Sequence, residues 1–245
     1  MTSLLQYHPF AVSAYFVSST IITFAVPKEE LERFVPEPLT LDLHNDQWAF
    51  LTIAMVDTKN LKPKGMPDFF GKDFVLIGYR IFVRYKTSKG KNLRGLYIIK
   101  SETNKEFMRF FGNIFTRYHY TTTDIKRTAE NDIVEISSKK SRFHITYRKA
   151  SGELTPLPEN SVFSSWKEAR RFAGPLPFTF EVDSKKREIL LIEGVRQNWE
   201  PRPIEVLSGD FDFINSLGFE DIRLSNAFEI TDIPYYWKKG SFDKW

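Results

Sequence analysis

The sequence predicts a mainly β (α+β) single domain, a sandwich or barrel with a few short helices. Three observations predict it. Segments rich in Val, Ile, Thr and aromatics recur along the 245 residues, with short turn signals between them rather than long helical crossovers. The chain is 42% hydrophobic and 16% aromatic, enough for a real core, which excludes disordered, collagen-like and coiled-coil classes. No repeat, low-complexity tract or linker divides it, so residues 1–245 read as one domain.

The first predicted strand covers residues 15–26. Pro27 then opens, and Pro36 stops, a short helix. Strands follow at 48–56, 74–85 and 93–99, the last two separated by the turn signal Ser88-Lys89-Gly90. Thr103-Asn104-Lys105-Glu106 fits a capping box opening a helix that presents Phe107, Phe110, Phe111 and Ile114 on one face. A strand at 142–148 ends at a Ser151-Gly152 turn. Ser165-Trp166-Lys167-Glu168 fits a second capping box, for a helix that Gly174-Pro175 ends. Strands at 178–182 and 188–193 follow.

Composition removes several chemistries. Without cysteine there is no disulfide, thiolate–zinc site, iron–sulfur cluster or thiol nucleophile. The four histidines, His8, His44, His119 and His144, show no metal-site spacing, and no P-loop, G-x-G-x-x-G or G-x-S-x-G motif occurs. No metal and no cofactor are expected. Net charge is +4, but residues 84–149 carry 16 Lys/Arg against 6 Asp/Glu, while residues 209–233 are acidic. The basic residues are scattered and lack a nucleic-acid motif. They read as solvated strand edges rather than a nucleic-acid face, although the two segments could pair in a homo-oligomer. The N-terminal residues lack a signal-peptide pattern, and no apolar run reaches the ~18–20 residues of a membrane span. A cytoplasmic protein without a membrane partner is expected.

Two places carry candidate chemistry. In strand 74–85, alternation puts Leu76, Gly78, Arg80, Phe82 and Arg84 on one face and Val75, Ile77, Tyr79, Ile81 and Val83 on the other. If the second face is core, Arg80 points to solvent as a surface ion pair, or into a lumen as a carboxylate clamp. In segment 113–121, His119 lies between Tyr118 and Tyr120. An imidazole can move a proton near neutral pH and a phenol can donate to a developing oxyanion; an edge strand with surface aromatics is the alternative.

The chain also resembles a known family. Residues 26–42, from Val26-Pro27-Lys28 through Pro36-Glu37-Pro38 to Asp42, resemble the opening element of the acetoacetate decarboxylase-like superfamily. Residues 203–213 and 227–232 resemble its closing strands, so the likeness runs from about residue 15 to 237. Gly78-Tyr79-Arg80-Ile81-Phe82-Val83-Arg84 resembles a functionally uncharacterised branch more than true decarboxylases, and that branch often carries Asn where Gly78 stands. The resemblance implies a single antiparallel, cone-shaped β-barrel with a central, largely apolar cavity. It also implies an imine-forming lysine in true decarboxylases, activated by a second lysine and desolvation; the amine activation is a known example of that strategy. Aligned on that motif, this chain has His119 and Tyr120 where the lysines stand. Neither can form a Schiff base. Lys100, at the end of an apolar strand and sharing a face with Leu96 and Ile98, could reach inward instead, although strand-end lysines usually snorkel to water.

The expected function is binding of a small-molecule ligand in a central pocket, with non-imine acid–base chemistry on a carbonyl or carboxylate compound. Arg80 would hold a carboxylate, His119 would move a proton, and Tyr120 or Tyr118 would polarise a carbonyl. The alternative is a non-catalytic carrier for a small apolar or carboxylate ligand. A weaker third reading is a nucleic-acid binder through residues 84–149.

Overall fold

The structure, a computed structural model, describes residues 8–149, 155–174, 176–197 and 199–245. The turn expected at Ser151 and Gly152 and the stop expected at Pro175 lie outside them. The chain opens with the long strand β1 (Val12–Pro27), the short helix α1 (Lys28–Leu31) and a 3-10 turn at Glu32–Phe34. Strands β2 (Thr40–Leu41), β3 (Trp48–Pro63), β4 (Lys72–Lys86) and β5 (Asn92–Thr103) follow. Helix α2 (Glu106–Phe115) leads into β6 (Tyr120–Thr122), β7 (Lys126–Glu130), β8 (Ile133–Ser138) and β9 (Phe143–Lys149). Then come α3 (Trp166–Phe172), β10 (Phe178–Asp183), β11 (Glu188–Arg196), β12 (Arg202–Phe211), α4 (Asp212–Ser216), β13 (Arg223–Trp237) and β14 (Ser241–Lys244).

The strands form one sheet in the order β14-β11-β10-β5-β4-β3-β1-β13-β12-β9-β8-β7, and a further β11–β13 pairing closes seven of them into a ring. The ring is not wholly antiparallel as expected: β10 runs parallel to β5. A parallel neighbour needs a long crossover, and the chain between these strands passes through α2, β6 to β9 and α3 before returning.

Period-two alternation along the ring strands separates two faces. On β4, Ile77, Tyr79, Ile81, Val83 and Tyr85 join the largest apolar core. That core is completed by β8, β9, β12 and α4, whose Val134, Ile145, Tyr147, Ile204 and Ile214 cover the ring's outer wall. The opposite face holds two smaller clusters. One gathers Trp48, Phe50, Phe82, Phe163 and Leu176; the other gathers Ala14, Phe16, Ala54, Val56, Phe228 and Ile233. Part of the aromatic content is therefore ordinary core: Tyr79 and Tyr85 are fully buried in the outer-wall cluster and do not line the inner face.

Both capping boxes need correction. Thr103 is still paired in β5, and α2 starts from Lys105 without a side-chain cap, while Asn104 Oδ1 accepts from the Val75 N–H instead (2.8 Å). The strand ladder wins over the cap. At α3, Ser165 Oγ does accept from the Glu168 N–H (3.3 Å), but Glu168 turns back to Ser164 rather than to Ser165. On α2, Phe107 packs edge-on against Phe74, whereas Phe110 and Phe111 are exposed. The expected apolar face is thus only partly covered. The basic and acidic segments meet within the chain, as Arg127 and Lys149 both pair with buried Glu229 and Arg142 pairs with Asp212.

Candidate functional site

Midway along the inner face the apolar pattern stops. On β3, Thr52 separates Phe50 from Ala54; on β4, Arg80 and Gly78 separate Phe82 from Leu76. Registry makes this a continuous row, with Asn226 opposite Thr23, Thr23 opposite Thr52, and Thr52 opposite Arg80. Thr23 and Thr52 share a hydroxyl hydrogen bond of 3.3 Å, but Asn226 Oδ1 is buried without a partner. The result is a polar belt between two apolar clusters.

Arg80 lies in the middle of that belt. Its Nε is buried and unpartnered, and no carboxylate among the described residues pairs with it. Its guanidinium folds back over Gly78, where a Cβ would lie 2.8 Å from Nε. The charge is felt most by Tyr235, then by Tyr120 and Tyr118, and also by Arg196. Around the ring, β4 is three strands from both β11 and β13, or about 14 Å along the wall. Interaction with Arg196 and Tyr235 therefore runs across the ring interior. Burial holds the Arg80 pKa below the usual guanidinium range, since the charged form is poorly solvated there.

The opposite wall supplies Arg196 and Tyr235, which are direct cross-strand partners. The Tyr235 hydroxyl lies over Gly194, whose added Cβ would meet it at 1.8 Å. On β10, Phe178 and Phe180 take the outer-wall side, leaving Thr179 and Glu181 facing Tyr118. Glu181 is buried; Oε1 accepts from the Arg117 N–H (3.2 Å), and Oε2 has no partner. Burial outweighs the Arg117 contacts and pushes this carboxyl up to about 7. Burial also raises the phenols of Tyr118, Tyr120 and Tyr235, which keeps them protonated donors.

Of the expected site residues, Arg80, Tyr118 and Tyr120 come together and His119 does not. His119 sits at φ 52°, in the left-handed region, between the end of α2 and β6, and it is exposed. The left-handed turn at His119, outside any strand, leaves its side chain exposed, while the side chain of Tyr120, which opens β6, is buried. The expected catalytic role for His119 therefore has no geometric support, because its ring is on the solvent side of the segment. His119→Ala is expected to change ligand affinity less than about twofold and stability by under about 0.5 kcal/mol, as an exposed substitution does. Calorimetric titration and urea unfolding check both.

Lys100 also needs correction. Leu96 and Ile98 pair with Phe82 and Arg80, on the inner face, but the register then slips at Ile99 and Lys100 pairs with Tyr79. This bulge turns Lys100 to the other face. There its ammonium lies 3.2 Å from Glu102 and over the rings of Tyr79 and Phe213. It lines an open groove of about 630 Å³ with Glu102, Arg109, Lys140 and Phe213, and Tyr120 borders both this groove and the belt.

Arg196, Tyr235, Glu181 and Asn226 were not anticipated from the sequence. The available signal was Gly194, a glycine inside an apolar strand, which marks close approach by another group. No group of three or more potential ligands gathers at a metal-binding geometry among the described residues. No helix there is long and apolar enough to cross a membrane.

Comparisons with known proteins agree on the fold. The model of the DUF2071 family, described as an uncharacterized conserved protein, matches residues 16–239. No curated protein sequence matches the chain. Among solved structures, acetoacetate decarboxylase from Legionella pneumophila superposes with a TM-score of 0.63 at 13% identity, covering 94% of this chain and 86% of its own. An acetoacetate decarboxylase-like enzyme from Sphingomonas wittichii gives 0.57 at 10% identity, with 96% and 92% covered. The enduracididine biosynthesis enzyme MppR, complexed with the condensation product of pyruvate and imidazole 4-carboxaldehyde, gives 0.55 at 9% identity, with 96% and 89% covered. The acetoacetate decarboxylase-like fold expected from the resemblance is thus shown, at identities that speak to fold alone.

Proposed function

The chain belongs to the DUF2071 family, and from its fold and the geometry of the belt we propose that it binds a small carboxylate-bearing carbonyl compound inside the ring and performs acid–base chemistry on it without an imine. We read the closed ring as the wall of the cone-shaped barrel and the belt as its pocket. One observation carries the proposal: the half-buried Arg80 faces the ring interior with its buried Nε unpartnered, and no carboxylate among the described residues forms an ion pair with it. Desolvating an unpaired cation is unfavourable, and a carboxylate ligand supplies the missing partner.

The remaining roles follow from protonation states. Tyr118 and Tyr120, kept neutral by burial, donate hydrogen bonds to a carbonyl oxygen as charge develops on it. Glu181, balanced near pH 7, takes the proton-transfer role first expected of His119. The imine is disfavoured because Lys100, the lysine expected to reach inward, turns to the other face. MppR, whose structure holds a pyruvate-derived product, supports the size and class of ligand by fold analogy only.

The test is incubation with pyruvate, acetoacetate and 2-oxoglutarate, monitored by proton NMR, alongside borohydride reduction and intact mass. The expected result is solvent-proton exchange or turnover of at least one compound with no covalent adduct. A stable borohydride adduct would restore an imine, and Lys100 would be the first candidate to map. Saturable binding with neither exchange nor turnover would establish the carrier reading in place of the enzyme.

A further inference from the structure

Two guanidiniums face the belt, and no carboxylate among the described residues pairs with either. Arg196 lies on the inner face of β11, in register with Tyr235 and two residues beyond Gly194. It donates from Nη2 to the Leu176 carbonyl (3.0 Å) and stacks 4.3 Å from the Trp199 ring centroid, with the Tyr235 ring at 6.0 Å. These contacts fix its plane without supplying negative charge. Arg80 acts on Arg196 as a like charge, and Tyr235 is the strongest electrostatic neighbour of both.

Of the buried glutamates, Glu102 pairs with Lys100 and Ser141 and Glu229 with Arg127 and Lys149, while Glu181 accepts from the Arg117 N–H. No carboxylate among the described residues forms an ion pair with Arg80 or Arg196. Two like charges in a largely apolar interior repel strongly, and a monocarboxylate would neutralise only one of them.

We propose that the ligand is a short dicarboxylate, one carboxylate held at Arg80 and the second at Arg196, with Tyr235 between them. This rests on the reading of the belt as a carboxylate site and adds the ligand's second charge.

Matched pairs of acids test it: succinate against butyrate, and 2-oxoglutarate against 2-oxovalerate, by isothermal titration calorimetry on the full chain. Each pair differs chiefly in one terminal carboxylate. The diacid is expected to bind at least about tenfold more tightly, a difference of about 1.4 kcal/mol. Arg196→Met should remove that preference by weakening the diacid at least about tenfold more than the monoacid, and Arg196→Lys, which keeps the charge, should retain most of it. Circular dichroism confirms that each variant is folded; if Arg196→Met is not, the Lys variant and the wild-type preference decide. A diacid no tighter than its monoacid overturns the proposal, as does equal weakening of both acids by Arg196→Met. If Arg80→Met leaves every affinity unchanged, or no acid binds the wild type, the underlying carboxylate reading fails instead.

Discussion

Arg80→Met is expected to weaken binding of a carboxylate ligand by about 2–5 kcal/mol, roughly thirty-fold to several thousand-fold in Kd. The fold should be at least as stable as before. The two effects have opposite signs for one reason. In the free protein Arg80 is half-buried, its Nε is unpartnered and no carboxylate among the described residues pairs with it, so its removal relieves a desolvation cost. In the complex it is the ligand's main electrostatic partner. Methionine fills much of the same volume above Gly78 without the charge. Calorimetric titration with 2-oxoglutarate and urea unfolding measure the two sides independently. Lost binding together with lost stability would mean that Arg80 is a structural residue, and unchanged binding would remove it from the site.

Glu181→Gln carries the second large effect, visible in the pH dependence of stability. Burial raises the folded-state pKa of this carboxyl from 4.5 to about 7. Below the unfolded-state value both states hold the proton and the residue costs nothing. As pH rises through this window the unfolded chain ionises first, and stability falls until the native group also ionises near 7. Above that the full penalty applies, roughly 3 kcal/mol from a rise of some 2.5 pKa units at ~1.36 kcal/mol each. The Gln variant is isosteric, can keep the acceptor for the Arg117 N–H, and lacks this penalty. Urea unfolding at pH 5 and pH 8 should show the variant gaining on the wild type by a few kcal/mol at pH 8 and by far less at pH 5. Equal gains at both pH values would show that Glu181 titrates normally. In an activity assay the same variant should lose proton transfer while retaining ligand affinity.

Much of this arrangement was legible in the residues. Alternation along residues 74–85 separates Arg80 from Ile77, Tyr79 and Ile81, and those three residues are indeed core. Alternation alone could not decide between lumen and solvent for Arg80. That choice depends on ring closure by β11 and β13, a pairing between residues 194–196 and 235–237 with no local signature. Tyr118 and Tyr120 were legible as a pair. His119 drew attention through its chemistry, and its left-handed backbone, which turns the chain before β6, has no clear mark in the sequence. Lys100 failed for a different reason: the register slip at Ile99 inverts the face of every later β5 residue, and bulges leave little trace in sequence.

The outer strands show the same limits. Strand β7 is Lys126-Arg127-Thr128-Ala129-Glu130 and exposed throughout, so as an edge strand it carries no apolar alternation to read. Arg196, Asn226 and Glu181 lie in strands that mix apolar and polar residues. Each is unremarkable locally, and they acquire meaning only when the ring brings them to face Arg80 and Tyr118.

A crystal structure of the wild-type protein grown with 2-oxoglutarate tests the central claim most directly. The account predicts the ligand inside the ring, with a carboxylate oxygen within about 3 Å of Arg80 Nε, the hydrogen-bond range for such a pair. A ligand bound only in the outer groove beside Lys100 and Phe213, with Arg80 Nε still unpartnered, would contradict it.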